Sequence, residues 1–266
     1  NRGNIHYKQE FGTQHFLNAE LSGNWTRSRF DNQNTLLNYD RSQVVRNAFV
    51  TNFDQNRFQY SASFDADYRK KFEKKGRYTG LGISYGLDNT DADARLVYQN
   101  TLYLLTPAIT QVAQNQNDQQ LNSNFSANWV FSEPIAKKQL LQLALEHRRN
   151  NSFREKTVFD EEDAEIQVFN PLFSGEGAYL NYVHEAELRH KYISKKFKTT
   201  VGATYQNLRL VSSDLFANNR SYHYALPFMR LQWDAGRSSE IRLNYGTRTN
   251  APSLVQLQTI PNNANP

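Results

Sequence analysis

Every second residue from Phe58 to Tyr68 is apolar: Phe58, Tyr60, Ala62, Phe64, Ala66 and Tyr68, with Gln59, Ser61, Ser63, Asp65, Asp67 and Arg69 in the other register. Side chains on a β-strand point alternately to its two faces, so the row requires extended backbone with one apolar and one wet face. The pattern recurs along the chain. Leu17, Ala19, Leu21, Gly23 and Trp25 stand against Asn18, Glu20, Ser22, Asn24 and Thr26, and NFSANWVF places Phe125, Ala127, Trp129 and Phe131 on one side. Leu141, Leu143 and Leu145 continue it with Leu140 out of step, followed by Phe197, Thr199, Val201, Ala203 and Tyr205, then Ile241, Leu243 and Tyr245. The chain is read as all-β. What the apolar faces lie against is the question this leaves.

Composition narrows the answer. Only 38% of the 266 residues are hydrophobic and the mean hydropathy is −0.77, yet 13% are aromatic, with 15 Tyr and 17 Phe. Disordered chains are poor in such rings. The net charge of +5 comes from 31 basic and 26 acidic residues, and the basic ones gather at short turns instead of on one surface, so no nucleic-acid partner is indicated. With no cysteine there is neither a disulfide framework nor a thiolate metal site. No run of 18 apolar residues occurs, which excludes a transmembrane helix but not membrane-spanning strands, each needing only about 9–11 residues.

Connections of two kinds alternate strictly. The short ones, at 9–12, 73–76, 132–138, 194–196 and 234–238, are polar and mostly basic; the long ones, at about 31–56, 100–121, 152–178 and 212–220, are rich in Asn, Gln, Asp and Ser. In an antiparallel up-and-down meander this collects every short turn at one end, which is the pattern of an outer-membrane β-barrel with short periplasmic turns. About ten strands are expected, enough for a small barrel or part of a larger one. Trp25, Trp129, Tyr68, Tyr192 and Trp233 are placed at strand ends as aromatic girdles. A soluble sandwich shares the alternation, but seldom such long strands with loops so segregated. By parity, Asp65, Asp67, Arg69, Asn124, Asn128, Glu185, Glu187, Arg242 and Asn244 are the candidate lumen-facing groups.

Other motifs carry less chemistry. GLGISYG at 80–86 lacks the helix a phosphate loop needs, so Gly80, Gly82 and Gly86 are read as a smooth lumen face approached by other backbone or a plug. Asp160, Glu161, Glu162 and Asp163, with Glu165 nearby, form the densest acidic run. It is a weak Ca²⁺ candidate without EF-hand spacing, and a solvated extracellular loop is the plainer reading. His184 and His190 share a strand face but stand about 20 Å apart, so they cannot share one ion. Ser, His and Asp show no catalytic spacing, so no enzyme and no cofactor are expected.

The last forty residues carry a resemblance. Leu226-Pro227, Arg230-Leu231, Arg242-Leu243-Asn244-Tyr245, Thr247, Thr249-Asn250-Ala251-Pro252-Ser253, Gln256-Leu257-Gln258 and Asn265-Pro266 resemble the barrel of Bacteroidetes TonB-dependent-receptor-like outer membrane proteins, with Gly246 where Arg is more usual. The turns around Glu133-Pro134-Ile135 and Ser194-Lys195-Lys196-Phe197 are similar to turns of the same family. The resemblance implies a plugged, about 22-stranded transporter barrel, in the outer membrane of a Gram-negative bacterium, importing a solute with energy from an inner-membrane TonB complex. Residues 1–266 would then be a single barrel segment, with the plug domain and remaining strands lying elsewhere. Implied partners are the outer-membrane lipid and lipopolysaccharide, the plug of the same protein, TonB and a surface lipoprotein. The alternative is a structural or interaction barrel that scaffolds a surface lipoprotein or secretion machinery.

Overall fold

Among the described residues, eleven strands follow one another through a single antiparallel sheet. In the computed structural model, which describes residues 1–103, 106–163, 166–212, 219–236 and 239–250, they are β1 (Arg2–Phe11), β2 (His15–Tyr39), β3 (Val45–Lys71), β4 (Tyr78–Leu102), β5 (Ala108–Ala136), β6 (Gln139–Asp163), β7 (Ile166–Phe169), β8 (Gly175–Ile193), β9 (Phe197–Ser212), β10 (Asn219–Asp234) and β11 (Glu240–Gly246). Each strand pairs with the next, except that β7 is a short side hairpin on β6, which goes on to pair with β8. The sheet is open: β1 and β11 are its two edges among the described residues.

The alternation read from the sequence is realised as rows across the sheet. Leu21, Phe64, Tyr85 and Phe125 lie side by side in register, as do Leu17, Tyr68, Leu81 and Trp129, then Leu145, Ala186, Tyr205 and Ala225. This face is bare. Phe58, Tyr60 and Phe64 are 43%, 38% and 41% exposed, and Leu81, Leu145, Leu188 and Tyr205 are also exposed. The opposite face buries Ser132, Gln142, Asn181, Val183, Thr204, Gln206 and Leu208, although all the described strands lie in one layer. A sheet that covers one of its own faces without a second layer must curve toward that face. The polar face is therefore concave, and the apolar face is the convex outside.

The short turns bring one end of the sheet together. The first lies at 12–14, not at 9–12, because the ladder runs on to Phe11 opposite His15. Gly12 and Gly76 take positive φ there, 63° and 91°, which side chains resist. Across the turn following β3, Glu133 of β5 accepts from Lys74 at 2.6 Å and from Arg77 at 2.6 and 2.8 Å. The Arg77 and Lys74 hydrogen bonds hold the Glu133 carboxyl at about 2. Girdle aromatics sit just inside these turns: Phe197 stacks on Trp233 at 5.7 Å, and the Trp129 indole N–H donates to Thr79 at 2.9 Å.

At the other end the sequence reading is corrected. The stretches expected as long loops are largely strand: β2 continues to Tyr39, β3 starts at Val45, β5 starts at Ala108 and β6 reaches Asp163. Strands β2 to β6 are 25 to 29 residues long, against about 9–11 needed to cross a membrane. Beyond the apolar belt polar residues enter both faces among scattered apolar ones such as Phe53, Leu96 and Val158, so the period of two disappears from the sequence while the backbone ladder persists. Cross-strand side-chain bonds work there beside ring contacts such as Phe49 with Tyr98, among them Arg29 to Asp54 at 2.5 Å, Asn117 to Asp93 at 2.9 Å and Arg154 to Asp118 at 2.8 Å. Trp25 consequently lies in mid-strand at the rim of the belt, paired with Tyr60, and not at a strand end.

Two outcomes follow. Phe64→Lys should block assembly of folded, heat-modifiable protein in the outer membrane, since a cation within the lipid-facing belt costs up to about 2–4 kcal/mol, whereas Asp65→Lys one position along should assemble; the reverse ranking would place the apolar face inside. The Glu133 clamp should hold above the ordinary carboxylate range and be lost as pH falls toward about 2. Hydrogen exchange at residues 72–77, corrected for intrinsic rates, should rise over that interval, and Glu133→Gln should show the raised exchange already at neutral pH.

Candidate functional site

The concave face is where polar side chains converge. One register row runs Asn18, Asp67, Gly82, Asn128, Glu146, Glu185, Gln206 and Tyr224 across eight strands. All nine candidate lumen residues, Asp65, Asp67, Arg69, Asn124, Asn128, Glu185, Glu187, Arg242 and Asn244, occupy this face by their register. They do not form one site. Arg69 lies over the Tyr78 ring near the short turns, 5.5 Å from its centroid. Arg242 pairs with Glu240 on its own strand, donating at 2.7 and 2.8 Å. Asp67 and Asn128 flank Gly82, where a Cβ would come within 2.9 and 2.8 Å of them. The glycine face is thus lined by side chains of the neighbouring strands, Asp67 and Asn128 at Gly82 and Val130 at Gly80.

Glu185, Glu187 and Asn244 belong to a groove of about 630 Å³ over β6 and β8 to β11. Its wall is a hydrogen-bonded chain. Arg148 donates to Glu185 at 2.5 Å and stands 3.3 Å from Glu146. Gln206 donates to Glu185 at 2.7 Å and accepts from the Thr249 hydroxyl. Thr204 donates to Glu187 at 3.4 Å, and Arg189 pairs with Glu187. Lys191, Arg230 and Arg248 also line the groove, so its basic groups outnumber its carboxylates. The floor is aromatic: Phe228 lies under the Arg189 guanidinium at 5.7 Å and over Gly202. A Cβ at 202 would meet Phe228 Cζ at 2.5 Å and the Leu188 carbonyl oxygen at 2.6 Å, so only glycine fits.

The C-terminal motif reaches this groove. After β11 ends at Gly246, Thr247 donates through its hydroxyl to the Pro227 carbonyl at 3.1 Å, and Thr249 ties to Gln206. Gly246 stands opposite Phe228 on the concave face, where a Cβ would make only an ordinary 3.9 Å contact with Phe228 Cβ, so the side chain more usual in similar sequences would rise into the groove. Thr249 is half-buried and Asn250 is exposed. Ala251, Pro252, Ser253, Gln256, Leu257 and Gln258 lie outside the described residues. Parity alone would have found Arg148, since Glu146 and Arg148 continue the polar register opposite Leu141, Leu143 and Leu145. Nothing local marks Gln206 or Phe228; their importance comes from β10 and from residues 247–249 passing over them.

The acidic run does not gather. Asp160 to Asp163 belong to β6 and not to a loop, so Asp160 and Glu161 face opposite ways. Asp160 accepts from Gln114 and Asn170, each at 2.7 Å, and Glu161 pairs with Arg95 at 2.8 Å, which holds its carboxyl below the ordinary range. Glu162 is exposed, and the Asp163 side chain lies outside the described residues. Among the described residues, no three His, Asp or Glu are grouped to hold a metal ion.

Residues 70–266 match the outer membrane protein beta-barrel family, well over half of the chain. The chain belongs to that family. It is an outer-membrane β-barrel protein, here an open stretch of barrel wall, and it resides in the outer membrane, which supplies the lipid that its convex apolar face requires. Solved structures similar to it include the following. P. aeruginosa FpvA bound to heterologous pyoverdines shares 8% identity with a TM-score of 0.49, covering 91% of this chain and 39% of that one. The ferric citrate transporter FecA in unliganded form shares 8% identity with a TM-score of 0.37, covering 91% and 42%. The chain thus spans about two fifths of either. No curated protein matches it.

Gly202→Ala should lower the thermal midpoint of the folded, heat-modifiable protein by the equivalent of about 1–3 kcal/mol, the usual cost of overpacking. Adding Phe228→Ala should restore only part of it, because the Leu188 carbonyl still blocks the methyl.

Proposed function

We propose that this chain is the barrel portion of a TonB-dependent-type outer membrane receptor, of the kind found in Bacteroidetes, that takes up a polar solute. The observation that supports the reading is the groove: a concave, charged wall, tied by Thr249 to the family-like C-terminal motif and left open on the lumen side. A plugged transporter needs such a surface, since the plug must seat against polar groups and the solute must pass them. In this reading residues 1–266 are one barrel segment, and a plug domain, the remaining strands of a barrel of about 22 and an energy-coupling segment belong to the rest of the protein. The inner-membrane TonB complex is its partner, and it carries neither catalytic group nor cofactor.

A second reading, a barrel that scaffolds a surface lipoprotein or secretion machinery without transport, is favoured by the long strands that continue beyond the belt. One experiment separates the two. Cells with and without the full-length gene, each with and without functional TonB, are compared by untargeted analysis of solutes removed from the medium. Uptake predicts depletion of at least one solute that needs both proteins, slowed by Arg148→Gln. Depletion indifferent to TonB, or none, overturns transport, and a lipoprotein copurifying in its place supports the scaffold.

A further inference from the structure

On the convex face of β6 and β8 to β10 the apolar belt stops abruptly. Leu145, Ala186, Tyr205 and Ala225 form its last row. The next outward row is His147, His184, Asn207 and His223, and the one after it is Arg149, Tyr182, Arg209 and Ser221. His147 and His184 stack at 4.5 Å with their Nδ1 atoms 3.2 Å apart. The Tyr205 hydroxyl lies 2.7 Å from His223 Nδ1, and Arg149 lies over the Tyr182 ring at 5.9 Å. Arg149, His184, Arg209 and His223 are exposed. Neither row contains a carboxylate. The first outward acids on these strands are Glu155 and Glu176, which face each other farther from the belt. The same face of β2 to β4 is different: Arg27 shares its row with Asp91.

Two guanidinium groups and three imidazoles on a membrane-facing surface, with no acid among them, form a donor-rich ledge that an anionic neighbour would complement. Charged groups on the lipid face of a barrel are tolerated only near the interface. The short turns mark the periplasmic end, so the ledge lies at the outer leaflet. We propose that it binds the phosphate groups of the outer leaflet's phosphorylated glycolipid, lipid A. Arg149 and Arg209 present planar forks suited to phosphate oxygens, the histidine row supplies further donors beneath them, and the apolar rows below take the acyl chains. The ledge is independent of any transport role.

Full-length protein purified in detergent is incubated with lipid A, with dephosphorylated lipid A, or with lipid A plus excess inorganic phosphate, and retained lipid is counted by native mass spectrometry. Lipid A should be retained and the dephosphorylated form lost. Arg149→Gln with Arg209→Gln should weaken retention at least about tenfold, as expected for removing two charge-assisted contacts, while Arg27→Gln leaves it unchanged. Undiminished retention by the double variant, or equal retention of dephosphorylated lipid, overturns the assignment. Displacement by inorganic phosphate assigns the ledge to free phosphate and overturns the lipid. Should the double variant lose its heat-modifiable band, Arg209→Gln alone carries the comparison, with weakened retention expected and unchanged retention overturning it.

Discussion

In hydrocarbon no water is present to take up a free backbone N–H or C=O, so a spanning strand must have both edges paired along its whole apolar length. That requirement fixes register, and register fixes everything else in this protein. Because side chains alternate, a slip of one residue between β3 and β4 would carry Phe58, Tyr60 and Phe64 to the wet side and Asp65 and Asp67 to the lipid. The ladder prevents this by its length. Between β2 and β3 it runs from His15 opposite Lys70 to Tyr39 opposite Val45, with its only irregularity at Asn38 and Tyr39. Sliding such a pair would break every bond along it at once.

The same register assembles the groove from distant chain segments. Arg148, Glu185, Gln206 and Thr249 come from three strands and the segment after β11, yet they form one hydrogen-bonded chain because their strands are locked side by side. Charges held in this way are positioned without a packed core beneath them. Each carboxylate is answered by an arginine, an amide or a hydroxyl from a neighbouring strand. What stiffens the wall is this reciprocal bonding, together with the Phe228 ring lying over Gly202.

The fold was legible wherever two faces met two solvents. The row from Phe58 to Tyr68 read correctly because lipid and water lie on its two sides, and parity put all nine lumen candidates on the concave face. It failed where both faces meet water. QVAQNQNDQQ, at 111–120, reads as loop but is a paired strand, since Asn and Gln serve equally well on either face and backbone bonds leave no trace in side-chain type. The acidic run at 160–163 was misplaced for the same reason. The groove was half legible: Glu185 and Glu187 were found by parity, whereas Gln206 and Phe228 matter because of which strands lie next to them, which composition does not encode. The pairing of His147 with His184 was equally hidden, as 37 residues separate them.

The strands are unequal, and the inequality is ordered. β2 to β6 have 25 to 29 residues, while β8, β9 and β10 have 19, 16 and 16. With all short turns at one level, the opposite rim slopes like the tip of a cut quill. Among the described residues the wall stands taller over β2 to β6 than over β8 to β10. The asymmetry is built into the ladder itself, so the described wall has a high flank and a lower one before any loop moves.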